Sequence, residues 1–367
     1  HEMAVEEKVG QMMQITCSIT DIIRDGGEVT FAYSMMPEDE MRLWARKRCA
    51  GSFLHVLGDE ARAIQEMALG SRLGIPVLFG IDAIHGHGLH NGATVFPSQL
   101  GMSCSWNREL IREAGRVTAR EVRADGLHWT FSPVLCIGRD LRWGRVDETF
   151  GEDPYLIGEL AAALIRGYQG EDLSNVDSIL ACAKHYLGYG ESTGGRDSYD
   201  SPIGYRKLKE VFLPPFQKAV EAGCATVMAG YHSVDGTPAS ANPLILKDIL
   251  RGELGFQGLI ITDALEMKAI TGVYSSDEAC VRAFLAGADL LLMPLSMEEG
   301  YRGVLSAVQD GAIGEDRLRD SVTRILSVKY DLGLFAGAPL PAPHAVLGSE
   351  EHLAVARAVK AAAKEAR

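Results

Sequence analysis

The sequence predicts a (β/α)8 barrel, an α/β fold of the TIM type in which eight parallel strands are ringed by helices. Short apolar, β-branched runs recur along the chain, charged helical stretches separate them, and the number of repeats approaches eight. The eighth strand is either 303–308 or missing from an irregular barrel. Seven strands are predicted at 51–57, 76–82, 128–135, 178–184, 225–231, 258–263 and 289–293.

The segments between the predicted strands divide into helices and two long loops. Residues 138–153 and 186–204 are glycine-rich, charged and without periodicity, and loops of this length in a compact domain are usually functional or disordered. Helices are predicted at 60–71, 108–124, 154–169, 205–222, 244–252 and 276–286.

The end of the chain differs from the rest in composition. We expect a catalytic barrel over 1–335 and an Ala-, Pro- and Gly-rich linker over 336–348. Residues 349–367 form an Ala-rich helix that finds no partner left in the chain to pack on. The sequence therefore predicts that this helix begins a second α/β domain that is otherwise absent.

Composition narrows the class of partner and the compartment. A net charge of −13 argues against nucleic acid, and no apolar run approaches the roughly 20 residues that span a bilayer, so no membrane partner is expected. The opening His1-Glu2-Met3 resembles an expression scar, so a secreted or periplasmic location stays open. Seven cysteines favour buried core positions and a cytoplasmic, reducing compartment, because they are spread singly at 17, 49, 104, 136, 182, 224 and 280.

Polar residues follow five of the predicted strands. In a barrel the carboxyl ends of the strands meet at one face, so these side chains are predicted to converge on one pocket. A single polar residue at a strand end is weak support, but five independent strands are hard to attribute to capping. The residues are Asp82, Arg142 and Arg145, Lys184-His185, Tyr231-His232, and Asp263.

Asp263 ends the stretch GFQGLIITDALEM and is the residue on which the hypothesis centres. A helix is predicted to start at 264–269, so Asp263 alone reads equally as a helix cap or as a pocket residue. The convergence of strand ends favours the pocket.

The chemistry of the set suits a ligand with many hydroxyl groups, because carboxylates, cations, imidazoles and a phenol supply directional donors and acceptors. Neither GxxxxGK[ST] nor GxGxxG opens a helix after a strand, so no cofactor is expected. His85, His87 and His90 lie in a glycine-rich loop without a clear third-ligand spacing. No metal is therefore predicted.

Five stretches of the chain carry a resemblance to a known family. They are GIDAIHGHG (80–88), RDLRWGRVDETFGEDP (139–154), KHYLGYGESTGGRD (184–197), VMAGYHSVDG (227–236) and GFQGLIITDALEM (255–267). Together they resemble the N-terminal catalytic domain of glycoside hydrolase family 3, in its β-glucosidase branch, and the resemblance covers the chain to about residue 335. It implies a retaining, exo-acting β-glycosidase that releases terminal non-reducing β-D-glycosyl residues through a covalent glycosyl-aspartate intermediate.

The same resemblance implies roles at matching positions. Asp263 corresponds to the nucleophile, and Lys184 and Arg145 would favour its ionised form. Sugar-binding roles fall on Asp82, Arg145, Lys184, His185 and Tyr231, with Arg196, Glu191 and Asp197 as a second set that contacts the sugar or positions Lys184.

Two departures from the family pattern limit the resemblance. Ala264 stands where some members carry a Trp that packs on the sugar, so substrate preference is left open. The two-domain members supply the acid/base Glu from a second α/β domain, so no acid/base residue is expected in this chain. The expected partners are a carbohydrate substrate and that second domain of the same protein, with a homo-oligomer left open.

Three alternatives remain at this stage. A β-N-acetylhexosaminidase of the same family would use an Asp-His pair, but here Asp197-Ser198 is followed by Tyr199. A Schiff-base aldolase would also place a lysine such as Lys184 at a strand end. The third is a sugar-binding module without turnover.

Overall fold

Eight parallel strands form the centre of the protein, whose computed structural model describes residues 3–16, 19–25, 28–33, 37–337 and 345–365. We number the barrel strands in chain order. They are β1 Met13–Thr16, β2 Ser52–Leu54, β3 Leu78–Ile81, β4 Trp129–Thr130, β5 Cys182–Tyr186, β6 Thr226–Ala229, β7 Leu259–Thr262 and β8 Leu291–Leu292.

The strands close into a barrel in chain order. Ladders join β1 through β4 and β5 through β7, each strand parallel to the next. Parallel bridges beside the short strands β4 and β8 complete the β4–β5 and β7–β8 junctions. β8 then pairs with β1, where Leu291 lies opposite Met13. The (β/α)8 prediction is confirmed, and each of the seven predicted strand positions overlaps a barrel strand.

The predicted position of the eighth strand is wrong. Residues 303–308 lie inside the helix Met297–Gln309, and the missing strand is the first, Met13–Thr16. This strand has only four residues, MQIT, and its buried Gln14 interrupts the apolar run that marks the other strands. Its β-structure depends on neighbours on both sides rather than on local pattern.

The six predicted helices are all present, and several elements were not predicted. Three short helical stretches are π-helical, Arg42–Lys47, Leu208–Phe212 and Leu244–Glu253. Hairpins form from Ile19–Asp25 with Glu28–Tyr33, described by backbone alone, and from Ser233–Val234 with Thr237–Pro238. The α-helices are Val5–Gln11, Glu38–Met41, Gly58–Leu69, Gln99–Ser103, Arg108–Ala124, Pro154–Gln169, Tyr205–Lys207, Leu213–Glu221, Lys268–Thr271, Ser276–Ala286, Met297–Gln309, Glu315–Asp331 and Glu350–Glu365.

The last helix, Glu350–Glu365, is not without a partner, so that part of the sequence interpretation is wrong. It packs against Arg108–Ala124, and His352 and Val359 are completely buried. His352 Nδ1 lies 2.8 Å from Glu121 Oε1, which also accepts a hydrogen bond from the amide of Gly348. Sequence periodicity does not reveal such a distant partner. The predicted linker falls largely on residues outside the described ranges.

The cysteines support the predicted core positions. Cys49, Cys136, Cys182, Cys224 and Cys280 are buried, and none of the six cysteines in the described ranges forms a disulfide. Cys17 lies outside the residues whose side chains are described. Among the described helices, none is long and apolar enough to cross a lipid bilayer.

Candidate active site

Asp263 lies directly after β7, at the carboxyl face of the barrel. Its amide donates to the carbonyl of Ala229 at the end of β6, 2.8 Å away, which continues the ladder by one residue. The next helix begins at Lys268 and not at 264, so Asp263 is not its N-cap and the capping alternative is wrong. Oδ1 accepts from the amide of Ala264 at 2.8 Å, whereas Oδ2 is buried without a hydrogen-bond partner among the described residues.

This environment raises the pKa of the Asp263 carboxyl to about 6. Burial is the largest cause, because it disfavours the charged form, and Arg145 and Lys184 oppose it only in part. The expectation that these two cations favour ionisation is correct in direction, but burial outweighs them. Above pH 6 most of the carboxyl is nevertheless ionised, so an anionic oxygen without a hydrogen-bond partner among the described residues lies beside His185.

Lys184 and Asp82 form the second feature of the site, an ion pair between the ends of β5 and β3. Lys184 Nζ donates to Asp82 Oδ1 at 2.7 Å, and His55 Nε2 lies 2.9 Å from Asp82 Oδ2. Burial raises the pKa of Asp82, but Lys184 and His55 outweigh it, so that the pKa lies well below its usual range. Asp82 is therefore a permanent acceptor and not a proton donor.

Arg145 and His185 flank the nucleophile candidate. His185 Nε2 lies 3.8 Å from Asp263 Oδ2 and 3.4 Å from an Arg145 nitrogen. Burial, with Arg145 and Lys184 nearby, holds the pKa of His185 well below its usual value, so the ring is neutral. Arg145 Nε and Nη2 each donate to the Glu148 carboxylate at 2.8 Å, which fixes the guanidinium plane, and Nη2 is the nitrogen that lies near His185.

Tyr231 belongs to a hydrogen-bonded cluster that anchors the glycine-rich loop after β5. Its hydroxyl donates to Asp197 Oδ2 at 2.6 Å and lies 2.6 Å from the hydroxyl of Tyr189, which also donates to Asp197. The indole of Trp143 reaches the same carboxylate at 3.2 Å. Asp197 thus holds two phenols and an indole in place, and one Arg145 nitrogen lies 3.4 Å from the Tyr189 hydroxyl.

Three residues predicted from sequence lie outside this arrangement. Arg196 is exposed, with its guanidinium 5.4 Å from the ring centroid of Tyr199. Glu191 pairs with Arg139 and Lys207, so the hypothesis that it positions Lys184 is wrong, and Asp82 does so instead. Arg142 pairs with Asp140 at the surface. Charged residues of a loop can satisfy one another locally, which their spacing does not show.

Sequence reasoning missed His55, Tyr189 and Glu148. His55 directly follows β2, so the strand-end rule that finds Asp82 could have found it. Tyr189 and Glu148 lie within the two long loops, where only the tertiary contacts distinguish a residue of the site from the other loop residues. Asp82 and Glu148 also line a common cleft of about 630 Å³ together with Asp147 and His85.

Comparison with known proteins places the chain in a protein family. Residues 4–328 match the model of the glycosyl hydrolase family 3 N-terminal domain. The chain belongs to this family. It is 34% identical to a lysosomal β-glucosidase of Dictyostelium discoideum over 94% of this chain and 44% of that protein. It is also 35% identical to a β-xylosidase of Formosa agariphila, over 80% of this chain and 43% of that protein.

A solved structure agrees with both the sequence match and the barrel. A β-glucosidase involved in saponin metabolism from intestinal bacteria is 40% identical and superimposes with a TM-score of 0.84. The match covers 96% of this chain and 45% of that one. The chain thus spans less than half the length of these relatives.

Proposed function

We propose that this chain is the nucleophile-bearing barrel of a retaining, exo-acting β-glycosidase that hydrolyses terminal non-reducing β-D-glycosyl residues. The observation that carries the proposal is the buried Oδ2 of Asp263, which has no hydrogen-bond partner in the described part of the chain and lies beside a neutral His185 that Arg145 contacts. Oδ2 attacks the anomeric carbon, and a glycosyl-aspartate ester forms as the aglycone leaves. Water then hydrolyses this ester and restores the carboxylate.

The remaining site residues bind the sugar. Asp82, held ionised between Lys184 and His55, accepts hydrogen bonds from sugar hydroxyls, while Lys184 and Arg145 act as donors. Because these groups are already fixed by one another, they lose little freedom when the sugar binds.

The general acid is expected from outside the described residues. A retaining enzyme needs a second carboxyl group about 5 Å from the nucleophile to protonate the leaving oxygen. Three carboxylates near the pocket are already engaged: Asp82 with Lys184, Glu148 with Arg145, and Asp197 with two phenols. In the two-domain members of the family, which this chain resembles, the acid is a Glu of a second α/β domain, and we propose the same source for this protein.

The sugar preference is the open part of the proposal. The relatives include proteins named β-glucosidase and β-xylosidase, which differ in the substituent at C5 of the sugar. Ala264 directly follows the nucleophile and offers less surface for packing on the sugar than an aromatic ring would. A panel of aryl β-glycosides given to the complete protein decides between the two sugars.

The geometry also bears on the alternative reactions. A hexosaminidase needs a histidine beside its loop aspartate, but Asp197 contacts Tyr189, Tyr231 and Trp143. A Schiff-base enzyme needs a neutral amine, whereas the Lys184 ammonium forms an ion pair with Asp82 at 2.7 Å. Both observations favour the β-glucosidase branch.

Covalent labelling tests the proposal without the missing acid. A 2-deoxy-2-fluoro-β-glucoside with a dinitrophenyl leaving group needs no proton to depart, and the fluorine slows hydrolysis of the ester. We expect one fluoroglucosyl unit per chain, located on the peptide that contains Asp263 by mass spectrometry. Asp248→Asn serves as a control, because this carboxylate is exposed and does not line the cleft that Asp82 and Glu148 share.

Other labelling results would contradict the proposal. A label on another residue excludes Asp263 as the nucleophile. The absence of any label excludes it as well, if a separate measurement shows that the same protein binds isofagomine. Trapping of a carbonyl compound on Lys184 by borohydride would support the aldolase instead. Sugar binding without any labelling would support a binding module.

The compartment is a further part of the proposal. We place the protein in the cytoplasm on the ground that the cysteines of the described ranges are free and mostly buried. The relatives include a periplasmic β-glucosidase of Salmonella typhimurium and the lysosomal enzyme, so fractionation of the native source is the deciding measurement.

A further inference from the structure

Two histidines and an aspartate meet beside the loop that follows β3. His87 Nε2 lies 3.0 Å from Asp125 Oδ2, and His90 Nδ1 lies 2.7 Å from the same oxygen. His87 and Asp125 are buried, whereas about a third of the His90 side chain is exposed. Asp125 comes from the end of the helix Arg108–Ala124, so its role as a third ligand cannot be seen from histidine spacing.

The three groups converge on one point. Two ring nitrogens address the same carboxylate oxygen, and the three candidate ligand atoms all lie within 4.8 Å of one another. A tetrahedral ion with ligands at about 2.0–2.1 Å holds them roughly 3.3 Å apart, so the two nitrogen–oxygen distances of 3.0 and 2.7 Å would each open by less than 1 Å around it. Without an ion, the same groups form a hydrogen-bonded clamp, in which each imidazole donates one N–H.

We propose that His87, His90 and Asp125 bind a divalent transition-metal ion of the zinc type, with water at the fourth position on the open side of His90. Two imidazoles and one carboxylate favour Zn²⁺ or Co²⁺ over Mg²⁺ and Ca²⁺, which prefer oxygen ligands. Nδ1 of His87 has no partner among the described residues in either state, so it favours neither the ion nor the clamp.

The position of the His87, His90 and Asp125 cluster indicates a structural role for the ion. The same loop begins with Asp82 in the sugar pocket, and further along Thr94 donates to the buried Glu121 through both its amide and its hydroxyl. Glu121 also binds His352 of the last helix. An ion at the cluster would fix the loop to the end of the helix Arg108–Ala124 at a position between Asp82 and Thr94 in the sequence. This inference does not depend on the proposed glycosidase activity.

Cobalt titration of the full chain, after treatment with a chelator, is the experiment. We expect one Co²⁺ per chain with the visible absorption of a tetrahedral site, displaced by one equivalent of Zn²⁺. Loss of an outer-shell partner alone costs 10–100-fold in metal affinity, so His90→Gln and Asp125→Asn should weaken binding by more than about 100-fold. His85→Gln is the matched control, because this imidazole lies in the same loop but binds the carbonyl of Phe96.

Each result decides the question. Failure of the wild-type chain to bind Co²⁺ in a one-to-one ratio overturns the proposal and leaves the hydrogen-bonded clamp. Equal binding by the wild type and His90→Gln overturns it as well, since the ion then lies elsewhere. If Asp125→Asn fails to fold, the partly exposed His90 carries the test: Zn²⁺ should raise the melting temperature of the wild type but not of His90→Gln.

Discussion

Two buried aspartates lie toward opposite ends of β7 and differ in how their charge is satisfied. Asp289 is completely buried, and its oxygens accept from the amide of Ile260 and the hydroxyl of Ser321 at 3.0 and 2.5 Å. It also accepts from three arginines, Arg251, Arg317 and Arg324. Asp263, at the carboxyl end of the same strand, accepts one amide hydrogen bond, and its Oδ2 has no hydrogen-bond partner among the residues that the structure describes.

The same residue type thus serves opposite purposes at the two ends. A buried carboxylate with every lone pair occupied holds elements together, and it has nothing left for a substrate. A buried carboxylate with an unoccupied oxygen costs stability but retains its reactivity. Functional sites commonly carry a destabilising feature of this kind, so stability measurements can distinguish the two aspartates without any turnover assay.

Removal of the Asp289 carboxylate, which is fully hydrogen-bonded, should have the largest effect on the free energy of unfolding. Asp289→Ala leaves three arginines without their shared partner, and breaking a buried ion pair typically costs about 3–5 kcal/mol. Urea denaturation should show the free energy of unfolding reduced by this amount. Asp248→Ala is the control, because this carboxylate is exposed and such changes stay within about 0.5 kcal/mol. An effect no larger than that of the control would mean that the arginine cluster is not structural.

Removal of the negative charge of Asp263 should instead stabilise the protein. The folded-state pKa of Asp263 is about 6 against 3.8 for the free carboxyl, so the folded state binds the proton more tightly between these values. The resulting stabilisation is complete below pH 3.8 and is lost as pH rises through 6. At pH 7.5, Asp263→Asn should therefore be more stable than the wild type by up to about 3 kcal/mol.

The pH dependence of this difference is the sharper measurement. Melting curves of the wild type and Asp263→Asn should separate at pH 7.5 and approach each other near pH 4, because the wild-type carboxyl is then largely protonated. Asp289→Asn should be less stable than the wild type at pH 7.5. A constant difference between Asp263→Asn and the wild type across this range would show that burial does not raise the pKa of Asp263.

Much of the fold can be predicted because most of its information is local. The seven later strands each carry an apolar core, and helices such as Arg108–Ala124 and Pro154–Gln169 have the predicted bounds. β1 cannot be predicted in this way, since its four residues include buried Gln14. The last helix shows the same limit, because its partner Glu121 lies more than 200 residues earlier in the chain.

The residues of the site also divide into those that the sequence predicts and those that it does not. Residues at strand ends, such as Asp82, Lys184 and Asp263, are predictable because the barrel brings every strand end to one face. Loop residues are not, since Arg196 and Glu191 bind neighbours that only the tertiary structure brings near. The raised pKa of Asp263 is likewise a property of burial, which a list of nearby cations does not reveal.

Replacement of the lysine should weaken sugar binding to an intermediate degree. Lys184→Met removes the ammonium that holds Asp82 Oδ1 and, under the proposed function, also removes a donor to the sugar. Because a hydrogen bond to a charged group contributes about 1.5–3 kcal/mol, the affinity for isofagomine should fall roughly 10- to 100-fold by calorimetry. Lys207→Met is the control, since that ammonium pairs with Glu191 outside the pocket, and it should change the affinity less than about twofold. Equal effects of the two variants would remove Lys184 from the site.

The smallest effect is expected at His55, which orients Asp82 from the other side. His55→Ala removes the contact to Asp82 Oδ2, and since one hydrogen bond contributes about 0.5–1.5 kcal/mol, sugar affinity should fall two- to tenfold. In His55→Gln the side-chain amide can take the place of Nε2 and should restore most of the affinity. His55 has φ of 58°, a strain that both variants share, so their difference isolates the hydrogen bond. If Ala and Gln weaken binding equally, His55 acts through the backbone of β2 and not through the carboxylate of Asp82.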